Sequence, residues 1–571
     1  MVEAGGAAAK PGWREVLRAM RHRKTGFMAL FGFASGLPFA LFLGTLYAWL
    51  TEAEVDLETM GVFSLIGLAY AFQFLWSPVI DRLDIPALRR LGKRKQWIVP
   101  MQVLLGAILV TLALLEPRTQ LGWFSLLAGI GAFASATQDI AINAWRIDVA
   151  DEDATIDILS TVYQAGFRLA ALVGGALGLI IAERIGWPQT YILMGAILLA
   201  IGTAGLFAPD AEASAPTAEQ NDALLALRRK GELEPRVRGY ALGLVGLLWA
   251  GAIAVVLTFM VLSMTSVPEE RPNPTDFTLY WGPWIIVATV VLPALIAGWL
   301  AAQKRVGRHV LTEDAAAVHR GGGFALDHLY RALVLPLVEF VGRMGWSLVL
   351  ILALVLTYRI CDAIWGTFAY PFYLGELEYT NDEVAFASKF FGVGAIIAGL
   401  ALGGYMLTVI GRMATLTIGA GLAAATNLLY ADLAIGGANM QAASDAIGFT
   451  ALINAVAPFG SEGLPRLTFT IMFENLAVGI ASAAYVAWLS SIVAKGYSAV
   501  QYALLASLTL LVGTLGRGAL GEMIEEQGYF DVFLLTTGIG GIAVVLCLLE
   551  WWRQRRAGAR SGVVAPEPVA V

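Results

Sequence analysis

Residues 121–142 read LGWFSLLAGIGAFASATQDIAI, with one ionisable group, Asp139. A helix crossing the hydrocarbon core needs about 20 predominantly apolar residues. A helix that is apolar all round is buried in protein or in lipid. The stretch therefore reads as a transmembrane helix that carries a carboxylate. The same ruler, moved outward in both directions, finds candidates at 26–50, 59–80, 96–115, 159–182, 188–208, 240–264, 277–301, 346–373, 382–408, 413–433, 466–493, 497–518 and 530–552. With 121–142 these make fourteen. Composition agrees: of 571 residues 58% are apolar and 14% charged, against about 25% charged in soluble chains. The chain is expected to be an all-α, polytopic membrane protein.

Charge sorts along the chain. Lys10, Arg14, Arg18, Arg21, Arg23 and Lys24 precede the first span, and Arg82, Arg89, Arg90, Lys93, Arg94 and Lys95 follow the second. Further basic residues follow spans 6, 8, 10, 12 and 14, whereas Glu52, Glu54, Asp56, Glu58, Glu269, Glu270, Glu376 and Glu378 fall in the alternate loops. With fourteen spans all the basic segments share one side, which the positive-inside rule makes cytoplasmic. Both termini are expected there. The expected layout is a segment 1–25, a six-helix bundle 26–208, a linker 209–239, two inserted helices 240–301, a cytoplasmic loop 302–345, a second six-helix bundle 346–552 and a tail 553–571. In the loop, Leu326, Leu329, Leu333, Leu337 and Phe340 recur at helical spacing, fitting an amphipathic helix on the membrane surface or an ordinary packed loop helix.

Several function classes drop out. A net charge of −6 leaves no basic excess for a nucleic-acid partner. Cys361 and Cys547 lie in apolar runs and form neither a disulfide scaffold nor a zinc site. His22, His309, His319 and His328 fall outside the spans, so no metal or haem is expected in the bilayer. No cofactor is expected; the proton gradient is the energy source.

Without the inserted pair, a 6+6 arrangement with a basic loop between the second and third helices remains. This is the layout of the major facilitator superfamily, whose halves rock about a midplane site. Ionisable groups inside a membrane are costly and mark function. Here they are Asp139, Arg168, Arg359, Asp362, Lys389 and Glu474. Ser135, Asp139 and Asn143 share a helical face with Gln138 at its edge, as do Ser160, Gln164 and Arg168, and as do Tyr358, Asp362 and Trp365. Asn475 and Tyr485 align roughly with Glu474. Such stripes make a polar lumen with aromatic plates. Gln138, Gln164, Arg168, Tyr358, Arg359, Trp365, Lys389, Asn475, Tyr485 and Gln501 are the candidate substrate-binding residues. Amides and hydroxyls suit sugars and peptide bonds, aromatic faces suit pyranose rings, and the cations suit carboxylates. Asp139, Glu474 and Asp362 are candidates for proton coupling, since enclosure and rehydration change a carboxyl's proton affinity. Arg359 stands three residues before Asp362 and favours its ionised form, so Asp362 is read first as a salt-bridge residue. Asp81, Arg82, Arg94, Arg146, Asp148 and Arg412 are candidates for gating. The acidic run Asp148, Asp151, Glu152, Asp153 and Asp157 reads most simply as a solvated cytoplasmic loop, with pairing to the basic second loop as the alternative.

Particular motifs resemble the AmpG muropeptide permeases. They are Gly32-Phe33-Ala34-Ser35-Gly36-Leu37-Pro38, Phe74-Leu75-Trp76-Ser77-Pro78 with Asp81-Arg82, and Ser135-Ala136-Thr137-Gln138-Asp139-Ile140 with Ala144-Trp145 and Asp148-Val149. Phe167-Arg168-Leu169, Asp362-Ala363, Lys389, Phe473-Glu474-Asn475-Leu476 and Gln501-Tyr502-Ala503-Leu504-Leu505 continue the resemblance. It covers about 25–208 and 345–550. It departs at Asn143, where the family has an acid, and at 151–157, where it has an Arg-Gly pair.

The resemblance implies a multi-pass importer of the bacterial inner membrane, and a monomer is expected. Its cargo would be N-acetylglucosaminyl-1,6-anhydro-N-acetylmuramyl peptides, moved from periplasm to cytoplasm with protons, a role linked to β-lactamase induction. Two other readings stay open: a carrier of another amphiphilic anion such as acetyl-CoA, and a generic sugar or drug carrier. A membrane enzyme acting on lipid-linked sugars would need clustered acids or histidines on a large outer loop. The longest, about 434–465, offers only Asp445 and Glu462.

Overall fold

Apolar periodicity and helix-ending glycines divide the chain into helices joined by short turns. The computed structural model describes residues 21–53, 70, 72–210, 232–266, 270, 272, 274–311, 324–359, 368–369 and 371–560. Helix α1 covers 23–52 and passes Pro38 and a π turn at Leu41–Thr45. It is followed by α2 (Ser77–Arg82), α3 (Lys95–Leu112), α4 (Leu121–Val149), α5 (Ile156–Ile185) and α6 (Trp187–Gly205). Then come α7 (Pro235–Thr265), α8 (274–306), α9 (Phe324–Leu333), α10 (Leu335–Met344) and α11 (Ser347–Thr357). The last group is α12 (Asn381–Val409), α13 (Arg412–Ala434), α14 (Ala438–Ala446), α15 (Phe449–Val456), α16 (Leu464–Ser491), α17 (498–527) and α18 (529–560). Gly528, at φ 81° and ψ 170°, separates the last two. Only glycine reaches that conformation without strain.

Ten helices among the described residues are long and apolar enough to cross a membrane, or eleven if α10 and α11, bent by 104°, count as one span. The fold is all-helical. Among the described residues its one extended pairing is the antiparallel Glu232–Leu233 with Val310–Leu311, at the ends of α7 and α8. The expected span at 59–80 falls largely outside the described residues, as do Asp362 and Trp365.

Lipid provides no hydrophobic drive between helices, so close backbone approach must hold them together. The closest seams follow this rule. In α1–α5, a Cβ on Gly32 would lie 2.4 Å from the Tyr163 carbonyl oxygen, and one on Gly166 2.5 Å from that of Ala29. In α12–α16, a Cβ on Gly399 would lie 2.2 Å from the Leu476 carbonyl oxygen. The loop helix anticipated around 326–340 is two helices, α9 and α10. Tyr330 of α9, Val334 between the two, and Leu337 and Val338 of α10 are buried against Trp249 of α7 and Ala297 and Leu300 of α8. They pack on the inserted pair, as the packed loop helix alternative expects.

Candidate functional site

Several charged loops meet at one end of the bundle, here called the basic end. Arg94, just before α3, is buried. Its Nη2 donates to Asp81 Oδ1 on α2 (2.8 Å) and its Nε to Asp148 Oδ2 on α4 (2.7 Å). The second half completes the cluster. Ser498 Oγ accepts from Arg94 Nη2 (2.8 Å) and donates to Asp148 Oδ1 (2.9 Å). The backbone N–H groups of Ala499 and Val500 donate to the Asp81 carboxylate at 3.4 and 3.0 Å. The first N–H groups of a helix have no partner inside it and carry partial positive charge. Asp81 therefore caps α17 from the other half of the molecule. Burial alone would lower Arg94's hold on its proton. Asp148 and Asp81 outweigh this and raise it, so the guanidinium stays charged.

Three further ties join the halves at this end. Arg412, opening α13, donates to Asp157 of α5 through Nε (2.9 Å) and Nη2 (3.2 Å). Lys495 Nζ donates to the Ala150 carbonyl (3.0 Å), and Arg146 Nη2 donates to Ser490 Oγ (2.9 Å). At Gly404 an added Cβ would lie 2.6 Å from Thr161 Cγ2 across the same seam. At the opposite end, two bonds lie each within one half: Trp187 Nε1 donates to Glu52 Oε2 (2.6 Å), and the Ser461 N–H to Glu383 Oε1 (2.5 Å). The structure is thus tied shut at its basic end.

Deeper inside, each half holds a carboxylate bonded by a tyrosine. Asp139 Oδ1 accepts from Ser35 Oγ (2.5 Å) and Tyr163 Oη (2.6 Å). Glu474 Oε2 accepts from Tyr430 Oη (2.6 Å), which lies 2.8 Å from Tyr373 Oη. Such short O–H···O⁻ bonds are among the stronger ones proteins make. Phe372 and Phe533 enclose the second group.

An all-helical bundle of this kind, closed by inter-half ions, matches the family model described as Major Facilitator Superfamily over residues 25–312, just over half of the chain. The chain belongs to the Major Facilitator Superfamily. It is 28% identical over 538 residues to the anhydromuropeptide permease of Escherichia coli strain K12, covering 93% of this chain and 81% of that protein. It is 25% identical over 509 residues to the protein named AmpG 4 of Rickettsia conorii, covering 89% and 91%. The crystal structure of the human organic anion transporter MFSD10 superposes with a TM-score of 0.50 at 13% identity, covering 94% of this chain and all of that one. That last likeness is one of fold alone. The protein is similar to AmpG-type transporters and is a multi-pass protein of the bacterial inner membrane.

Within this major facilitator fold the remaining candidate residues are distributed unevenly. Arg168 and Arg359 are half-buried; Lys389 is exposed, on a π turn at Phe386–Gly392. Such turns recur at functional sites. Asn475 is half-buried, with its Nδ2 bonded to the Ile471 carbonyl (2.9 Å). Gln138 is fully buried; its Nε2 donates to the Ala34 carbonyl (2.6 Å) and its Oε1 finds no donor among the described residues. Gln164 is buried on α5.

Three candidates lie elsewhere. Tyr358 and Tyr485 stack at 5.0 Å inside the second half. The Tyr358 hydroxyl donates to the Leu416 carbonyl (3.0 Å), and that of Tyr485 pairs with Thr509 Oγ1 (2.8 Å). Gln501 sits at the basic end. Its Nε2 donates to Glu339 Oε2 (2.6 Å) and the Pro336 carbonyl (3.0 Å), and its Oε1 accepts from the Ala494 N–H (2.9 Å). It ties α10 to the start of α17. Of the gating candidates, Asp81, Arg94 and Asp148 meet in one cluster, while Arg146 and Arg412 form separate ties. The side chain of Arg82 lies outside the described residues.

The acidic loop is not simply solvated. Asp157 pairs with Arg412 and Asp151 with Lys24. The Ala154 N–H also donates to Asp151 Oδ1 (2.8 Å). Partial burial alone would raise the Asp151 pKa; Lys24 and Ala154 outweigh it and hold the carboxyl below the ordinary carboxylate range. A depressed carboxyl contributes stability above its unfolded pKa of about 3.9 and loses it as pH falls through the folded value. Lys24→Met is expected to lower thermal stability slightly above about pH 4. The difference from wild type should close as the pH is lowered further. A difference that persisted unchanged at the acid end would contradict this assignment.

Proposed function

We propose that this transporter imports anhydromuropeptides from periplasm to cytoplasm by proton symport and alternating access. The termini and the basic end face the cytoplasm, and fourteen helices cross the bilayer. The observation that carries the cargo is the similarity to the anhydromuropeptide permease of Escherichia coli over 93% of this chain. The chemistry is compatible. A disaccharide–peptide offers carboxylates, amides and sugar rings, and Arg168, Arg359, Lys389 and Asn475 offer cations and an amide to meet them. The sorted basic loops support the orientation.

Proton exchange needs a carboxyl that meets water from one side and then the other. Asp139 and Glu474 suit this work, because a phenol donor stabilises the ionised form and is released when the carboxyl is protonated. Asp362, with Arg359 nearby in sequence, is assigned to salt-bridge gating. In Glu474→Gln, counterflow should persist near the wild-type rate, while uptake driven by a pH gradient should stop near the equilibrium ratio. Concentrative uptake by this variant would remove Glu474 from the coupling step.

The direct test is uptake of anhydromuropeptide by purified protein in proteoliposomes, with and without an imposed pH gradient. Gradient-dependent accumulation is the expected result. Absence of uptake, together with transport of a nucleotide such as acetyl-CoA, would replace this reading with that of another anion carrier.

A further inference from the structure

Arg146 is fully buried on α4, seven residues beyond Asp139 and so two turns along one face. Its Nη2 reaches Ser490 of the other half, while its Nε and Nη1 find no acceptor among the described residues. Its guanidinium lies 4.7 Å from the ring centre of Tyr163 and 5.0 Å from that of Tyr502 on α17. Arg146 is therefore a buried cation held by two aromatic faces, one from each half, and by one hydroxyl. The Tyr163 ring that supports it carries the hydroxyl that donates to Asp139 (2.6 Å) and lies 3.1 Å from Ser35 Oγ.

We propose that Tyr163 is a positioning residue that couples Asp139 to the Arg146 tie between the halves, so that protonation of Asp139 releases the basic end. The inference rests on the proton-symport reading and names the side chain through which the proton acts. With Asp139 ionised, its charge attracts Arg146 and fixes the Tyr163 hydroxyl, which aims the ring at the guanidinium. With Asp139 protonated, Arg146 loses its buried counter-charge and Tyr163 loses its strongest acceptor. A buried charge without a partner is costly, and opening the seam hydrates it. Acid therefore favours opening at the basic end.

Among the described residues, the polar groups around this pair come from both halves. They are Ser35 from α1, Tyr70, whose hydroxyl donates to Ser135 (2.7 Å), Asn143 from α4, Tyr163 from α5, Ser490 from α16 and Tyr502 from α17. Asn143 Nδ2 donates to the Asp139 backbone carbonyl (2.8 Å), and Ser35 and Tyr163 donate to the Asp139 carboxylate. Among these neighbours, Tyr163 touches both Asp139 and Arg146.

The test measures the distance between spin labels at Asp153→Cys and Ile410→Cys. Both positions are exposed, one on each half at the basic end, and the background carries Cys361→Ala and Cys547→Ala. In the otherwise wild-type protein, lowering the pH by about two units should raise the ratio of long to short distances about tenfold or more. Tyr163→Phe keeps the ring and loses the hydroxyl, and its distance distribution should be much flatter with pH than the wild type's, since only the direct attraction between Asp139 and Arg146 is left. Ser35→Ala removes a bond to Asp139 without touching Arg146; it should remain pH-dependent with a shifted midpoint. Arg146→Gln tests the same link with Tyr163 intact and should be flat. A wild-type pH profile in Tyr163→Phe or Arg146→Gln would overturn the inference while leaving proton symport standing. A flat profile in the wild-type background would overturn both.

Discussion

Arg94→Met is expected to abolish transport and to destabilise the protein by about 3–5 kcal/mol, the usual cost of leaving a buried ion partner uncompensated. The reason is local. Arg94 and Asp81 are each about 1% exposed in their side chains, and Asp148 is 12% exposed. Removing the guanidinium leaves two carboxylates facing one another with, among the described residues, Ser498 and two backbone N–H groups to satisfy them. It also loosens the contact between the first half and the start of α17, so the basic end should open more readily. Two measurements check this. Thermal unfolding in detergent should show the loss of stability. The spin-label pair described above should shift toward long distances at every pH. Adding Asp148→Asn should recover part of the stability, because one unpaired charge is then removed. An Arg94→Met protein with wild-type stability and uptake would show that the cluster does not hold the halves.

Gly399→Ala is expected to cost about 3 kcal/mol or more, at or beyond the upper end of ordinary overpacking. Its new Cβ would sit 2.2 Å from the Leu476 carbonyl oxygen and 3.1 Å from Gly479 Cα. The obstacle is backbone on a neighbouring helix, not the end of a flexible side chain, so relief requires α12 and α16 to separate. Helices in lipid depend on that approach for their association. Gly394→Ala is the control: its Cβ meets nothing within 4 Å. It should match wild type or gain slightly from the helix propensity of alanine. Folded yield and melting temperature of the two variants, measured side by side, decide the matter. Equal stability of the pair would mean that this seam yields easily.

Much of the architecture is legible without coordinates because lipid imposes a simple rule. Every spanning segment must satisfy its backbone internally and present apolar side chains. That rule is local, so the apolar runs, the basic loops and the rarity of internal charge can be read one window at a time. Single ionised residues such as Asp139 and Glu474 stand out for the same reason. Their partners do not. Tyr163, Tyr430 and Tyr373 are unremarkable tyrosines in a chain with seventeen, and nothing in their spacing ties them to a carboxylate. The acidic residues 151–157 look like loop polarity, yet Asp157 meets Arg412 from 255 positions away.

Gln501 shows the same limit from the other side. A glutamine near the start of an apolar helix fits a lumen as well as it fits a loop clamp. Only the packing of α10 beside α17 brings Glu339 and the Pro336 carbonyl to it. By their helical faces alone, Tyr358 and Tyr485 fit aromatic plates in a lumen. Their hydroxyls are taken up within their own half because α11, α13 and α16 converge there.

The amino-acid order alone determined that this is a polytopic helical membrane protein with rare buried charges and with basic loops on alternate connections. Each of those features follows from the transfer energy of a short segment between water and lipid. The tertiary structure decided which charges meet, that Asp81 caps a helix of the other half, and that Arg146 lies between Tyr163 and Tyr502. Some of those pairings, Asp81 with Val500 and Arg146 with Tyr502 among them, join residues hundreds of positions apart. They depend on helix rotation and close glycine contacts, which are set only when all the helices pack together.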